Sequence, residues 1–244
     1  GEVPDTGPID DFFIDRFEVT NRQFKEFVDQ GGYQKREYWK YSLTKDGKTV
    51  TWEKGTAGFV DQTGQPGPST WRAGTFPAGH EDHPVAGVSW YEAAAFAEYA
   101  GKSLPTKIHW DVARGTLTPL YQSGFLSVFY PMCNFMGEGP ARVGAYLGMT
   151  TYGTYDMAGN VREWCWNETS HGQLLRGGAW NDVDYMFEDL SQAPPDNRSP
   201  QNGFRCVRYA DPAGLPDSVL APIAFFRPDL YENLPARTPV PDQV

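Results

Sequence analysis

The sequence predicts an irregular fold: two or three helices, short strands and much ordered loop. Three observations carry this. Gly (26) and Pro (20) together make up about 19% of the 244 residues, against an average of roughly 12%. So many breakers exclude a helical bundle or a coiled coil. Aromatic residues are 15% of the chain, which excludes disorder, because disordered chains are poor in them. The helix and strand signals are short and separated by turn residues, and no period of 20 to 50 residues recurs, so a repeat architecture is also excluded.

The elements follow in order. Ile9 to Val19 is aromatic and β-branched and reads as one or two short strands. Thr20 caps a first helix, with Gln23 completing a capping box, and Phe24, Phe27 and Val28 form its apolar face. Gly31-Gly32 ends it. Residues 38–52 read as a hairpin turning at Asp46-Gly47. Residues 55–84 read as an ordered loop pinned by Trp71 and Phe76. Ser89 and Glu92 form a second capping box, and Ala93, Phe96, Ala97 and Ala100 form a small-residue stripe that ends at Gly101. A third helix follows Pro105-Thr106, carries Trp110 and Ala113, and stops near Gly115. Short strands and turns fill 116–210. Beyond that, the prolines at 212, 216, 222, 228, 235, 239 and 241 predict a Pro-rich linker or strap over 211–244, after one domain at 1–210. This tail is expected to lead into a further part of a parent protein.

Charge and cysteine content narrow the function. The formal charge of −10 opposes phosphate backbones, so nucleic acid is not an expected partner. No apolar run approaches the ~20 residues of a membrane span. The polar start Gly1-Glu2-Val3-Pro4-Asp5 does not read as a signal peptide. Cys133, Cys165 and Cys206 are too few and too spread for a disulfide framework or a zinc knuckle, and fit reduced thiols in a cytoplasmic protein.

Six motifs then give the chain a likeness. They are Phe12-Phe13-Ile14-Asp15-Arg16-Phe17-Glu18-Val19-Thr20-Asn21, Pro84-Val85-Ala86-Gly87-Val88-Ser89-Trp90, Leu104-Pro105-Thr106 with Trp110 and Ala113-Arg114-Gly115, Tyr155-Asp156-Met157-Ala158-Gly159-Asn160-Val161-Arg162-Glu163-Trp164, Arg176-Gly177-Gly178-Ala179-Trp180, and Gly203-Phe204-Arg205. In this order, over about 200 residues, they resemble the formylglycine-generating-enzyme-like, or sulfatase-modifying-factor, family. The resemblance implies an α+β fold of the C-type-lectin-like kind with short antiparallel strands. Gly31 to Lys40, Thr63 to Trp71, and Glu163 to Asn167 look closest to the versions fused to bacterial serine/threonine kinases. The chain itself has no Gly-rich nucleotide loop and no His-Arg-Asp catalytic loop.

The family's oxidases use two cysteines that bind copper, a sensible choice because soft thiolates select Cu(I). Carried onto this chain, those positions are Asp182 and Phe187, and the motif's Ser is Ala179. Neither side chain is a soft ligand, so formylglycine generation and copper are not expected. The resemblance does imply a structural Ca²⁺, held by the carboxylates of Asp156 and Glu163 and by the carbonyls of Gly159 and Val161. Hard cations take six to eight oxygens, and a tight Gly turn can point carbonyls inward. A second calcium loop looks shortened at 134–144 and is not expected. His80 and His83 flank Glu81-Asp82, but off a helix this spacing has no special meaning for a metal, and His109 and His171 read as surface or capping residues.

Trp180, Asn181, Asp182, Asp184, Tyr185, Phe187 and Arg198 fall where the family's substrate groove lies, and form the expected ligand-binding set. Acids among aromatics are also used in glycoside chemistry, but a solvated acidic loop is the preferred reading because sequence does not give carboxylate separations. Three functions compete. The first is a non-catalytic binding or sensory module of a multidomain bacterial signalling protein, taking a peptide, protein or small polar ligand. The second is an enzyme of altered, metal-dependent chemistry through Asp182. The third is a retroelement-diversified binder varied between Trp180 and Gly203.

Overall fold

The computed structural model describes residues 9–45, 47–115, 132–183 and 190–224. The first strand, β1 (Phe12–Ile14), is shorter than the apolar run that contains it. It pairs antiparallel with β8 (Val207–Tyr209), placing Phe12 opposite Tyr209. Past Ile14 the chain leaves the ladder. The Asp15 and Arg16 carbonyls accept from Arg205, at 3.0 and 3.1 Å, and the Asp15 carboxylate meets Lys102 at 2.5 Å.

Helix α1 (Asn21–Asp29) starts as expected. The Gln23 N–H donates to the Thr20 hydroxyl, and the Thr20 N–H donates back to Gln23 Oε1 at 2.9 Å. Its apolar face buries Phe24 and Phe27 completely. Helix α3 (Trp90–Tyr99) has the same reciprocal cap, from Ser89 and Glu92. Helix α4 (Lys107–Arg114) ends at Gly115, whose φ of +85° is the left-handed conformation a helix stop favours.

The region 38–52 differs from the expected hairpin. The ladder is only β2 (Thr44–Lys45) against β3 (Lys48–Thr49), preceded by a 3-10 turn at Arg36–Tyr38. Aromatic packing pulls the flanks out. Trp39 donates its indole N–H to the Gly32 carbonyl at 2.9 Å and stacks on Phe59 with centroids 5.7 Å apart. Tyr41 packs edge-on against Trp90 and Trp166. Thr51 then caps a short helix, α2 (Trp52–Thr56), so Trp52 opens a helix instead of closing a strand.

The loop 55–84 is ordered by two residues. The Asp61 carboxylate accepts from the Thr63 and Gln65 N–H groups and, through its other oxygen, from Gly74 N–H. Trp71, 1% exposed, donates its indole N–H to Asn21 Oδ1 at 2.9 Å.

The largest sheet has the order β6-β5-β4-β7: β6 (Ser191–Ala193), β5 (Gly172–Arg176), β4 (Arg162–Thr169) and β7 (Asn202–Gly203). The β4–β7 pair is parallel and the other pairs are antiparallel. The main core joins α1, α3 and this sheet, with Phe24 stacked on Phe96 and Phe204 edge-on to both. A smaller core of Trp110, Met157, Cys165 and Leu174 lies where α4 meets β4 and β5. Residues 212–223 form a 3-10 turn (Pro212–Gly214) and helix α5 (Asp217–Leu220). They lie along the end of β4. Asn167 Nδ2 donates to the carbonyls of Val219 and Ala221, and Ile223 N–H donates to the Glu168 carbonyl. Among the described residues no helix is long and apolar enough to cross a membrane.

Candidate functional site

Two turns meet beside the start of β4. One runs from Asp156 to Glu163 and the other leaves β5 through Gly177-Gly178. Both need backbone that most residues avoid: φ is +80° at Gly159, +95° at Gly177 and +73° at Gly178. They are tied by the Gly159 N–H donating to the Gly177 carbonyl and the Trp180 N–H donating to the Asn160 carbonyl, each at 2.8 Å. A Cβ on Gly159 would lie 2.3 Å from the Asn134 carbonyl oxygen, so a glycine is required there by space as well as by torsion.

Asp182 is held, not free. Its Oδ1 meets Arg162 Nη2 at 2.5 Å, and its Oδ2 accepts the Ala179 N–H at 2.8 Å. The Arg162 and Asp182 side chains are 21% and 12% exposed. Trp180, two residues before Asp182, is half-buried, with an indole N–H that has no partner among the described residues. Asn181 is exposed. Of the expected ligand-binding set, Trp180, Asn181 and Asp182 are therefore together. Asp184, Tyr185 and Phe187 lie outside the described residues.

Arg198, the remaining member of the set, is held by the scaffold. Its guanidinium donates to both oxygens of Glu92, each at 2.9 Å, and to the carbonyls of Val60 and Gly67. Glu92 is fully buried and also accepts the Tyr33 hydroxyl at 2.6 Å. Arg198 thus fastens the 58–67 loop to the start of α3. Nothing in the spacing of Glu92 and Arg198, 106 residues apart, marks them as partners.

The turn expected to hold Ca²⁺ contains a network that sequence reading missed. Arg205 donates from Nε and Nη2 to the two oxygens of Glu163, both at 2.7 Å, and Trp110 Nε1 donates to Glu163 at 2.8 Å. The Val161 N–H donates to Glu18 Oε1, and Asn160 Nδ2 donates to Glu18 Oε2 at 2.7 Å. Asp156 accepts the Gly144 N–H at 2.7 Å. Glu18, Asp156, Glu163 and Arg205 are all buried. Burial, reinforced by Asp156 and Glu163, pushes the Glu18 carboxyl well above the usual range, and burial raises Asp156 as well. Glu163 as it stands does not fit a cation ligand, because both oxygens are taken by N–H donors. Among the described residues no three His, Cys, Asp or Glu side chains converge as a metal site. That includes His80 and His83, whose rings stack 4.3 Å apart.

The thiols are no better placed for copper. Cys133, Cys165 and Cys206 are buried and form no disulfide. Burial pushes Cys133 up to about 12 and the other two well above the thiol range, which keeps them from being thiolates at neutral pH. His109 is also not a surface residue. It is 2% exposed, bonded through Nδ1 to the Thr106 hydroxyl at 2.7 Å, and enclosed by Phe12 and Tyr209.

Residues 4–210 match the sulfatase-modifying factor enzyme 1-like domain, and the chain belongs to that family. It is 28% identical over 223 residues to the serine/threonine-protein kinase pkn1 of Chlamydia caviae, covering 81% of this chain and 33% of the kinase. The chain thus spans about a third of the length of these kinase relatives. It is 29% identical over 277 residues to the formylglycine-generating enzyme of Thermomonospora curvata, covering 87% of this chain and 89% of that one. The structure of PvdO from Pseudomonas aeruginosa has the same fold, with a TM-score of 0.56 and 18% identity over 85% of this chain and 86% of that chain.

Proposed function

We propose that this domain is a non-catalytic binding or sensory module within a longer signalling protein, taking a peptide, protein or small polar ligand on the face around Trp180 and Asp182. One observation carries the reading. Where the family's first copper thiolate is expected stands Asp182, and its two oxygens are committed to Arg162 and to the Ala179 N–H. The second thiolate position is a phenylalanine, Phe187, and no buried thiol of this chain offers a substitute. The Trp180 indole N–H, without a partner among the described residues, supports capture of a ligand with acceptor oxygens. The likeness to kinase-borne domains supports a multidomain parent.

The test has two arms. Loaded with Cu(I) and given a cysteine peptide and O₂, the protein leaves the peptide mass unchanged; a formylglycine product overturns the reading. In a thermal-shift screen of peptides and small polar solutes, a ligand raises the melting temperature and loses its effect in Trp180→Ala. A transition metal that co-purifies and is lost in Asp182→Ala would favour the altered-enzyme reading instead.

A structural Ca²⁺ at the Asp156–Glu163 turn is a separate proposal. It is supported by the buried carboxylates of Glu18 and Asp156, whose charged forms burial disfavours and a bound cation would stabilise. It requires oxygens other than those Glu163 gives to Arg205.

A further inference from the structure

Residues 35–54 hold six of the chain's 21 Lys and Arg against three acids, in a protein of net charge −10. This stretch folds into the Arg36–Tyr38 turn, the β2–β3 hairpin and α2. A cavity of about 380 Å³ opens among these elements, lined by Arg36, Lys40, Tyr41, Thr49, Trp52 and Glu53. A second, of about 300 Å³, shares Trp52 and Glu53 with it and adds Tyr33 and Phe59. Neither cavity shares a lining residue with the Trp180–Asp182 face.

Arg36, Lys40, Lys45, Lys48 and Lys54 are exposed and make no ion pair among the described residues, whereas Lys102, Lys107, Arg162, Arg176, Arg198 and Arg205 each hold a carboxylate. Glu53 is the one acid in the cavity wall. Its pKa is lowered, first by its own backbone N–H and then by Thr51, with Arg36 a weaker influence. The Trp52 indole N–H is buried without a partner among the described residues. A buried donor without an acceptor is unfavourable and is relieved when a ligand oxygen reaches it. Cations, aromatic walls and an idle donor together describe a receptor for oxyanions.

We propose that this lobe binds an acidic polypeptide segment of a partner, its carboxylate or phosphate oxygens met by Arg36 and Lys40 and one acceptor reaching Trp52 Nε1. Charge sets the size of the occupant. Outside residues 35–54 the chain carries 28 acids against 15 cations. A nucleic acid or an anionic bilayer would extend over that acidic remainder, which repels it. A short peptide stays within the lobe, inside a Debye length of roughly 8 Å at physiological salt.

Fluorescence anisotropy with labelled ten-residue peptides tests this on the full chain. A Glu-rich peptide and a phosphoserine peptide distinguish the two oxyanion sources, and a Gln/Ser peptide is the neutral control. The acidic peptides bind, more weakly at higher salt, and the neutral one does not. Arg36→Gln/Lys40→Gln weakens binding about tenfold or more, and Trp52→Phe weakens it about three- to tenfold, the range expected for one lost hydrogen bond. Arg208→Gln, an exposed cation elsewhere, has no effect. Equal binding of neutral and acidic peptides overturns the proposal. So does full affinity in the Arg36/Lys40 double variant, or tighter binding of RNA or anionic vesicles than of either peptide. The double variant changes only exposed side chains, so its melting temperature stays that of the parent and misfolding does not mimic the result.

Discussion

Arg205 closes on Glu163 with two parallel contacts of 2.7 Å, and neither side chain has measurable exposure. The same guanidinium donates to the carbonyls of Asp15, Arg16 and Tyr155. One residue therefore ties β4 to the chain just after β1 and to the turn that begins at Asp156. Removing one member of a buried pair leaves the other uncompensated, which costs about 3–5 kcal/mol. Arg205→Leu is expected to lose at least that much in urea unfolding, and Glu163→Leu a similar amount. A loss below about 1 kcal/mol in both would show that the network is not structural.

Arg198→Ala should release the 58–67 loop while leaving the helices in place. It removes the fork on Glu92 and the contacts to Val60 and Gly67. The expected loss is about 3 kcal/mol, with new proteolytic cleavage between residues 58 and 67. Arg198→Lys does not restore the fork, because an ammonium cannot span both oxygens. Unchanged proteolysis in Arg198→Ala argues against the latch.

The three thiols should be silent in the native protein. Burial leaves each protonated and shielded. Titration with a disulfide reagent at pH 8 is expected to read less than about one thiol per chain before unfolding, and all three in urea. A fast-reacting native thiol would reopen redox chemistry on this scaffold.

His109 gives the protein a specific acid sensitivity. Burial lowers its pKa to about 4, below the unfolded value of about 6.5. The unfolded chain thus binds more protons between these values, so stability from this group is complete above about 6.5 and falls as pH drops toward 4. The size is on the order of 2 kcal/mol after allowing for partial solvent screening. Carboxylates also titrate in acid, so the useful quantity is the difference between the parent and His109→Gln. That difference should shrink from pH 7 to pH 4, and a constant offset would refute the assignment.

Chelation decides the calcium proposal. With Ca²⁺ bound only by the native state, excess chelator lowers the melting temperature and added Ca²⁺ restores it. Melting curves that do not move in chelator, with no ion found in the purified protein, reject it. Gly159→Ala separates backbone from ion. It is strained by φ and by the Asn134 carbonyl, and should destabilise the protein by about 1–3 kcal/mol with or without Ca²⁺.

Local chemistry was legible in the sequence. Thr20 with Gln23 and Ser89 with Glu92 read as capping boxes because cap and partner are three residues apart, and both formed. Gly115 marked a helix stop for the same short-range reason. The ordered motifs identified the family, and Asp182 and Phe187 in place of cysteines spoke against its oxidase chemistry. Tertiary packing decided the rest. The flanks of the 38–52 hairpin went to aromatic contacts with Gly32, Phe59, Trp90 and Trp166, none of which a local pattern records. Arg198 went to Glu92, Arg205 to Glu163 and Glu18 to Asn160 across 106, 42 and 142 residues. A charge advertises only that it needs a counter-charge and donors when buried. Which residue answers is set by the fold that brings them to within 3 Å, and that is why the scaffold's caps were readable and its buried ion pairs were not.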